Sequence, residues 1–159
     1  MFIESSALSD EARVWVYPAS RKFYAQEVDE IINKLHSFVS SWKKSSMDFQ
    51  ASFELKYNRF IIFFAENNIQ LTNNDIDEQI SFILTLQNEY KLDLLDKMNV
   101  CFKQGEFVQY KEIKAFKKLL KEKAVSPKTI VFDNLVQSKY DFENYWEVPI
   151  TDSWYNRFL

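Results

Sequence analysis

The chain has 159 residues, of which 47% are apolar and 27% charged, and a net charge of −3. This balance describes a globular protein rather than a disordered one, and it argues neither for a nucleic-acid footprint over the whole surface nor for an acidic tail. The single cysteine, Cys101, excludes an intrachain disulfide and a multi-cysteine zinc site.

The N-terminus, Met1-Phe2-Ile3-Glu4, lacks the basic region and apolar core of a secretory signal. The longest apolar run is Phe60 to Ala65, far short of the roughly 20 residues that span a bilayer. A soluble cytoplasmic protein is the expectation, with residues 1–159 forming one domain.

Arg13 to Tyr17 reads as a strand stopped by Pro18. From Tyr24 to Lys44, the residues Val28, Ile31, Ile32, Leu35, Phe38, Val39 and Trp42 recur at three and four, which predicts an amphipathic helix. Ser45-Ser46 breaks that pattern.

Gln50 to Glu66 reads as a hairpin folded back at Tyr57-Asn58-Arg59. Phe53, Leu55 and Tyr57 alternate with Ser52, Glu54 and Lys56, the period of a half-buried strand. Phe60 to Ala65 is wholly apolar, as in a strand covered on both faces. Asn58 suits the left-handed backbone that a tight turn requires.

Asn67 to Asn74 reads as a polar loop. A second helix is expected from about Asp75, with Asp75 and Glu78 as capping residues and Ile76, Ile80, Ile83, Leu84 and Tyr90 inward. Met98 to Lys103 and Glu106 to Tyr110 read as two strands about Gly105, the only glycine, whose role there is a positive φ. A third helix, Glu112 to Lys123, carries Ile113, Phe116, Leu119 and Leu120 inward, and Thr129 to Phe132 is a further strand. Beyond Asn134 no regular pattern is visible. The aromatic residues Tyr140, Phe142, Tyr145, Trp146, Trp154 and Phe158 are scattered through an irregular stretch.

The expected fold class is therefore α+β, a mostly antiparallel sheet with helices packed on it. The first six elements match the βαββαβ order of a ferredoxin-like core, followed by a β-α-β extension and an aromatic tail at 146–159 that packs back on the domain.

The chemistry-bearing residues exclude more than they indicate. A phosphate-binding loop needs several glycines, because backbone amides must approach phosphate in conformations that side chains forbid, so no ATP binding or hydrolysis is expected. His36, the only histidine, sits at the border of the first helix's apolar stripe and reads as structural. Cys101 reads as a half-buried or surface thiol rather than a nucleophile. Asp75, Asp77 and Glu78 read as helix capping rather than a cation site. No cofactor or metal is expected.

Three functional readings stay open. A non-enzymatic binding or protein-interaction domain is favoured, with the aromatic content, Trp146 and Trp154 included, as its positive sign. An enzyme or small-ligand binder using Glu54, Lys56 and Arg59 of the central hairpin is the second. The third is a weak nucleic-acid binder through residues 111–123, where six lysines against two glutamates give +4 and leave −7 for the rest. Under the favoured reading the expected partner is an unidentified protein or a second copy of the chain, with no membrane partner expected.

The segments Ala51 to Phe60, Leu94 to Val100, Thr129 to Val136 and Trp146 to Pro149 together resemble a family of small bacterial proteins of about this length, often labelled "ABC transporter ATPase". The likeness runs over nearly the whole chain. It brings no established activity or catalytic residue with it. Members of that family have Gly-Cys-Ser-Ile-Asp where this chain has Asn73 to Asp77, so no role of that cysteine transfers. The ATPase label also runs against the single glycine.

Overall fold

The computed structural model describes residues 1–42, 49–68 and 71–159. The expected end of the first helix at Lys44, the break at Ser45-Ser46 and part of the Asn67 to Asn74 loop fall outside these residues.

In chain order the elements are β1 (Arg13–Pro18), α1 (Ala25–Ser41), β2 (Ala51–Lys56), β3 (Phe60–Ala65), α2 (Asn73–Tyr90), β4 (Val100–Gln104), β5 (Phe107–Lys111), α3 (Ile113–Lys121), β6 (Ile130–Phe132), α4 (Lys139–Tyr145) and β7 (Glu147–Pro149). Short 3-10 turns occupy Ser5–Ala7, Ile150–Asp152 and Trp154–Phe158. The α+β class stands, and all strand pairs within the two sheets are antiparallel.

The strands form two sheets rather than one. The first has the order β1-β3-β2 and the second β5-β4-β6-β7. Three strands keep the ferredoxin-like arrangement, with β3 inserted between β1 and β2 and both helices on one face. The fourth strand departs from it. In that fold β4 would lie beside β1, whereas here it leads the second sheet, and the edge of β1 meets residues 137 and 138 instead. Val14 N donates to Gln137 O there at 3.0 Å. The reason lies in β4 itself: Val100, Cys101 and Phe102 are all fully buried, so this strand needs cover on both faces, and a sheet edge supplies cover poorly.

Three apolar clusters fill the spaces between layers. α1 and α2 cover the first sheet through Ile31, Leu35, Val39, Ile83 and Leu86 against Tyr17, Ile61 and Phe63. Val14, Val16, Phe60, Ile62 and Phe64 on the other face meet Cys101 and Phe132 of the second sheet, with Phe142 and Trp146 filling the flank. Val100, Phe102 and Val131 face outward onto Phe116 of α3 and onto Ile150 and Tyr155 of the C-terminal turns. The order is helices, sheet, sheet, then α3 with the tail.

α2 starts at Asn73, two residues before the expected start near Asp75, and its capping box is Thr72 with Asp75 rather than Asp75 with Glu78. Thr72 is its N-cap: the Thr72 hydroxyl accepts from Asp75 N at 3.2 Å while Asp75 Oδ2 accepts from Thr72 N at 2.8 Å. The buried stripe is Asp75, Gln79, Ile83, Leu86 and Tyr90, and Ile80 and Leu84 stay exposed. A glutamine occupies the core there: the Tyr17 hydroxyl donates to Gln79 Oε1 at 2.5 Å, while Gln79 Nε2 has no partner among the described residues. On α1, Ile32 is likewise exposed.

Candidate functional site

β2 is the edge strand of the first sheet, and the second sheet covers it only in part. Its Ser52, Glu54 and Lys56 pair in register with Phe64, Ile62 and Phe60, so they share the face turned toward the second sheet. A groove of about 750 Å³ lies over this uncovered face. Glu54, Lys56 and Tyr57 form one wall, and Ser5 and Ser6 close one end. Lys139 and Glu143 of α4, with Glu147, form the opposite wall. The floor is aromatic: Phe142 and Trp146 lie 4.8 Å apart between ring centres, and Phe64 meets Phe142 edge-on at 5.5 Å.

The rim carries both signs of charge in close pairs. Lys56 Nζ is 3.2 Å from Glu54 Oε1, and Lys139 Nζ is 3.6 Å from Glu143 Oε1. Lys103 Nζ lies 3.0 Å from Glu147 Oε1, and the Tyr57 hydroxyl donates to the same carboxylate oxygen. The Tyr57 hydroxyl, and Glu147 after it, hold the Lys103 ammonium pKa above its ordinary range. Lys139 is the buried member of the rim: its ammonium donates to Leu8 O at 2.7 Å, which ties α4 to the N-terminal segment.

Of the residues singled out in the sequence, Glu54, Lys56 and Trp146 come together here, and Arg59 and Trp154 do not. Trp146 is 5% exposed and works mostly as floor, with Nε1 donating to Asn134 Oδ1 at 2.8 Å. Trp154 packs beside Phe116 and Tyr155 on the far side of the second sheet, under the Arg157 guanidinium at 4.1 Å.

Arg59 is 8% exposed, and its fork is occupied. Nη1 donates to Val108 O on the outer edge of β5 at 2.5 Å, and Nη2 to Ser20 O at 3.3 Å. Burial lowers its pKa, opposed by Cys101 and Tyr110. Its chemistry is to bind the edge of one sheet to the turn of the other.

Cys101 is fully buried, contrary to the half-exposed thiol expected from alternation along the strand. Alternation implies one wet face, but β4 is covered on both. Burial pushes the thiol pKa up to about 12, against the opposing effects of Arg59 and Asn134. His36 is exposed on α1 and packs against Phe2, with ring centres 4.6 Å apart. It belongs to the helical side of the first sheet and Cys101 to the opposite side, so no thiol–imidazole pair forms.

Asp75 belongs to the capping box of α2. The lysines of α3 are exposed, with Lys117 Nζ 4.5 Å above the Phe158 ring and Lys118 3.9 Å from Glu122. No helix among the described residues is long and apolar enough to cross a membrane.

The groove residues that sequence reasoning missed include those of α4 and Glu147 just after it. Lys139, Phe142 and Glu143 lie on a helix of seven residues, too short for a periodic signal. Ser138 followed by Asp141 is the trace that marks its start: Ser138 Oγ accepts from Asp141 N at 3.1 Å. Comparison with known proteins finds no match: no family model, no curated protein and no solved structure is significantly similar to the chain.

Proposed function

We propose that the chain is a non-catalytic binding domain that takes an extended polypeptide segment into the groove between β2 and α4. The observation that carries this reading is the combination of an aromatic floor with a rim where carboxylates and ammoniums stand in adjacent pairs. A peptide offers the matching chemistry. Its apolar side chains cover the floor, and its own charges or backbone groups exchange with pairs already present at little net cost.

A nucleotide fits less well. Three carboxylates, Glu54, Glu143 and Glu147, line the groove against two lysines, and no glycine supplies a backbone cradle for phosphate. The small-ligand reading that joined Glu54 and Lys56 to Arg59 loses its basis, because the Arg59 guanidinium is already bonded to two carbonyls outside the groove. The nucleic-acid reading through α3 lacks a stacking platform, since the Phe158 ring beside it is covered by Lys117.

Selection from a displayed peptide library on the immobilised protein tests the proposal. Enriched peptides are expected to bind saturably and to lose affinity on Glu143→Lys with Glu147→Lys, two exposed rim changes. Enriched peptides that bind this double variant equally well contradict it.

A further inference from the structure

Beyond Ala51, which the N-terminal segment pairs, the outer edge of β2 is open among the described residues. Pairing with β3 uses the backbone groups of Ser52, Glu54 and Lys56, which turns those of Phe53 and Leu55 outward. The hydrogen bonds at Ala51 fix this parity: Ala51 N donates to Met1 O at 3.0 Å, and Ala51 O accepts from Ile3 N at 2.9 Å. Beyond Ile3 the N-terminal segment leaves the strand for the turn Ser5–Ala7. Among the described residues, the outward N–H and C=O groups of Phe53 and Leu55 therefore have no partner.

We propose that this edge pairs with the same edge of a second copy, antiparallel about a two-fold axis at Leu55, to build one six-stranded sheet from two chains. The register follows from charge. Leu55 opposite Leu55 of the other copy sets Glu54 opposite its Lys56 and Lys56 opposite its Glu54, two complementary contacts on one face. The neighbouring register, with Phe53 opposite Leu55, would set Glu54 against Glu54. A lysine on an edge strand ordinarily opposes such pairing, but here it meets a carboxylate.

The shape also suits the arrangement. The N-terminal segment of one copy lies beside its own Ala51, at the level where the other copy's strand has already turned back at Tyr57 and Asn58. The half-buried rings of Phe2 and Phe53, 5.6 Å apart beside His36, lie at the junction and gain cover. An isologous contact of this kind closes on itself and does not propagate into fibres.

Sedimentation velocity on the full chain tests this with charge reversals. The wild type is expected to sediment as a dimer. Glu54→Lys places lysine against lysine in both contacts, and Lys56→Glu places glutamate against glutamate, so each variant alone should self-associate about tenfold or more weakly. An equimolar mixture of the two restores both attractions and should form the heterodimer. Circular dichroism on each variant separates loss of pairing from loss of fold, and the mixture would not rescue an unfolded chain. A monomeric wild type, or a mixture no more associated than its components, overturns the proposal. Glu54 and Lys56 belong both to this edge and to the groove wall, whereas Glu143 and Glu147, which test peptide capture, take no part in the pairing, so the failure of one reading is distinguishable from that of the other.

Discussion

The Tyr57 hydroxyl donates to the Glu147 carboxylate and thereby links the β2–β3 turn of the first sheet to β7 of the second. Tyr57 makes this link from a left-handed backbone, φ 55°, followed by Asn58 at 49°. Two successive positive φ values have the sense of a primed hairpin turn, whose twist matches the strands. A bulky residue is unfavourable there, and the contacts of the ring offset the cost: Phe132 lies 5.4 Å away edge-on and the Lys103 ammonium 5.1 Å above. The turn is one wall of the groove, so the wall is fixed in position by the other sheet.

Arg59 serves a parallel purpose on the opposite side of the turn. Replacing it with Met keeps the bulk and leaves the Val108 and Ser20 carbonyls without their donor. A loss of about 2–3 kcal/mol is expected, and Arg59→Lys should recover only part of it, because an ammonium does not reproduce the fork. Urea denaturation measures both. Equal midpoints for Arg59→Met and the wild type would remove the structural role.

Gly105 has φ +59° in the β4–β5 turn, with nothing within 4 Å of where a Cβ would stand. Space is therefore not the constraint, and backbone conformation is. Gly105→Val is expected to cost about 1–3 kcal/mol, and Gly105→Asn clearly less, because asparagine tolerates the left-handed region. An unchanged denaturation midpoint for the valine variant would contradict this.

Cys101 predicts how stability depends on alkaline pH. Its folded pKa, about 12, exceeds the value of about 8.5 for a free thiol. A group raised in the folded state contributes stability that is complete below its unfolded pKa and is lost as pH rises toward the folded one. Unfolding free energy should therefore begin to fall above about pH 8.5, with a slope that reaches at most about 1.4 kcal/mol per pH unit from this group. Buried Tyr17 and Tyr155, also raised by burial, join at higher pH. Cys101→Ala should flatten the first part of the fall, and an identical slope would show that the thiol does not titrate on unfolding. In the folded protein the thiol should resist alkylation until denaturant is added.

The C-terminal turns contribute Ile150, fully buried, and Tyr155, 7% exposed, to the cluster around Phe116. Tyr155→Ala is expected to cost about 3–5 kcal/mol, a fall of roughly 10 °C in the thermal midpoint. Truncation after Pro149 removes both residues together with Trp154 and Phe158, and should yield a still less stable or aggregated protein. A truncated chain with the wild-type midpoint would show that the tail carries no share of the core.

The strands other than β7 and the three longer helices are legible because their apolar spacing is regular. The run Phe60 to Ala65 announced a strand covered on both faces, and all six residues are buried. The partition into two sheets was not legible. It depends on which strand finds cover, and Cys101 between Val100 and Phe102 looks the same in sequence whether its face is wet or dry. β7 escaped notice for another reason: three residues ending in Pro149 suffice for an edge strand, but they leave no periodic signal. In the sequence, Glu54 and Lys56 read as the polar face of a hairpin. That this face becomes a groove depends on α4, 83 residues further along the chain from Lys56 to Lys139, and no local pattern reaches that far.

The most direct test of the groove is two-dimensional NMR of the labelled protein titrated with a peptide selected on it. Shifts are predicted to concentrate on Ser5, Glu54, Lys56, Tyr57, Glu143 and Glu147, with the Trp146 indole N–H perturbed from below. Saturating shifts confined instead to the α3 lysines, the tail around Trp154 or the helical face around His36 would contradict the account and move the binding surface there.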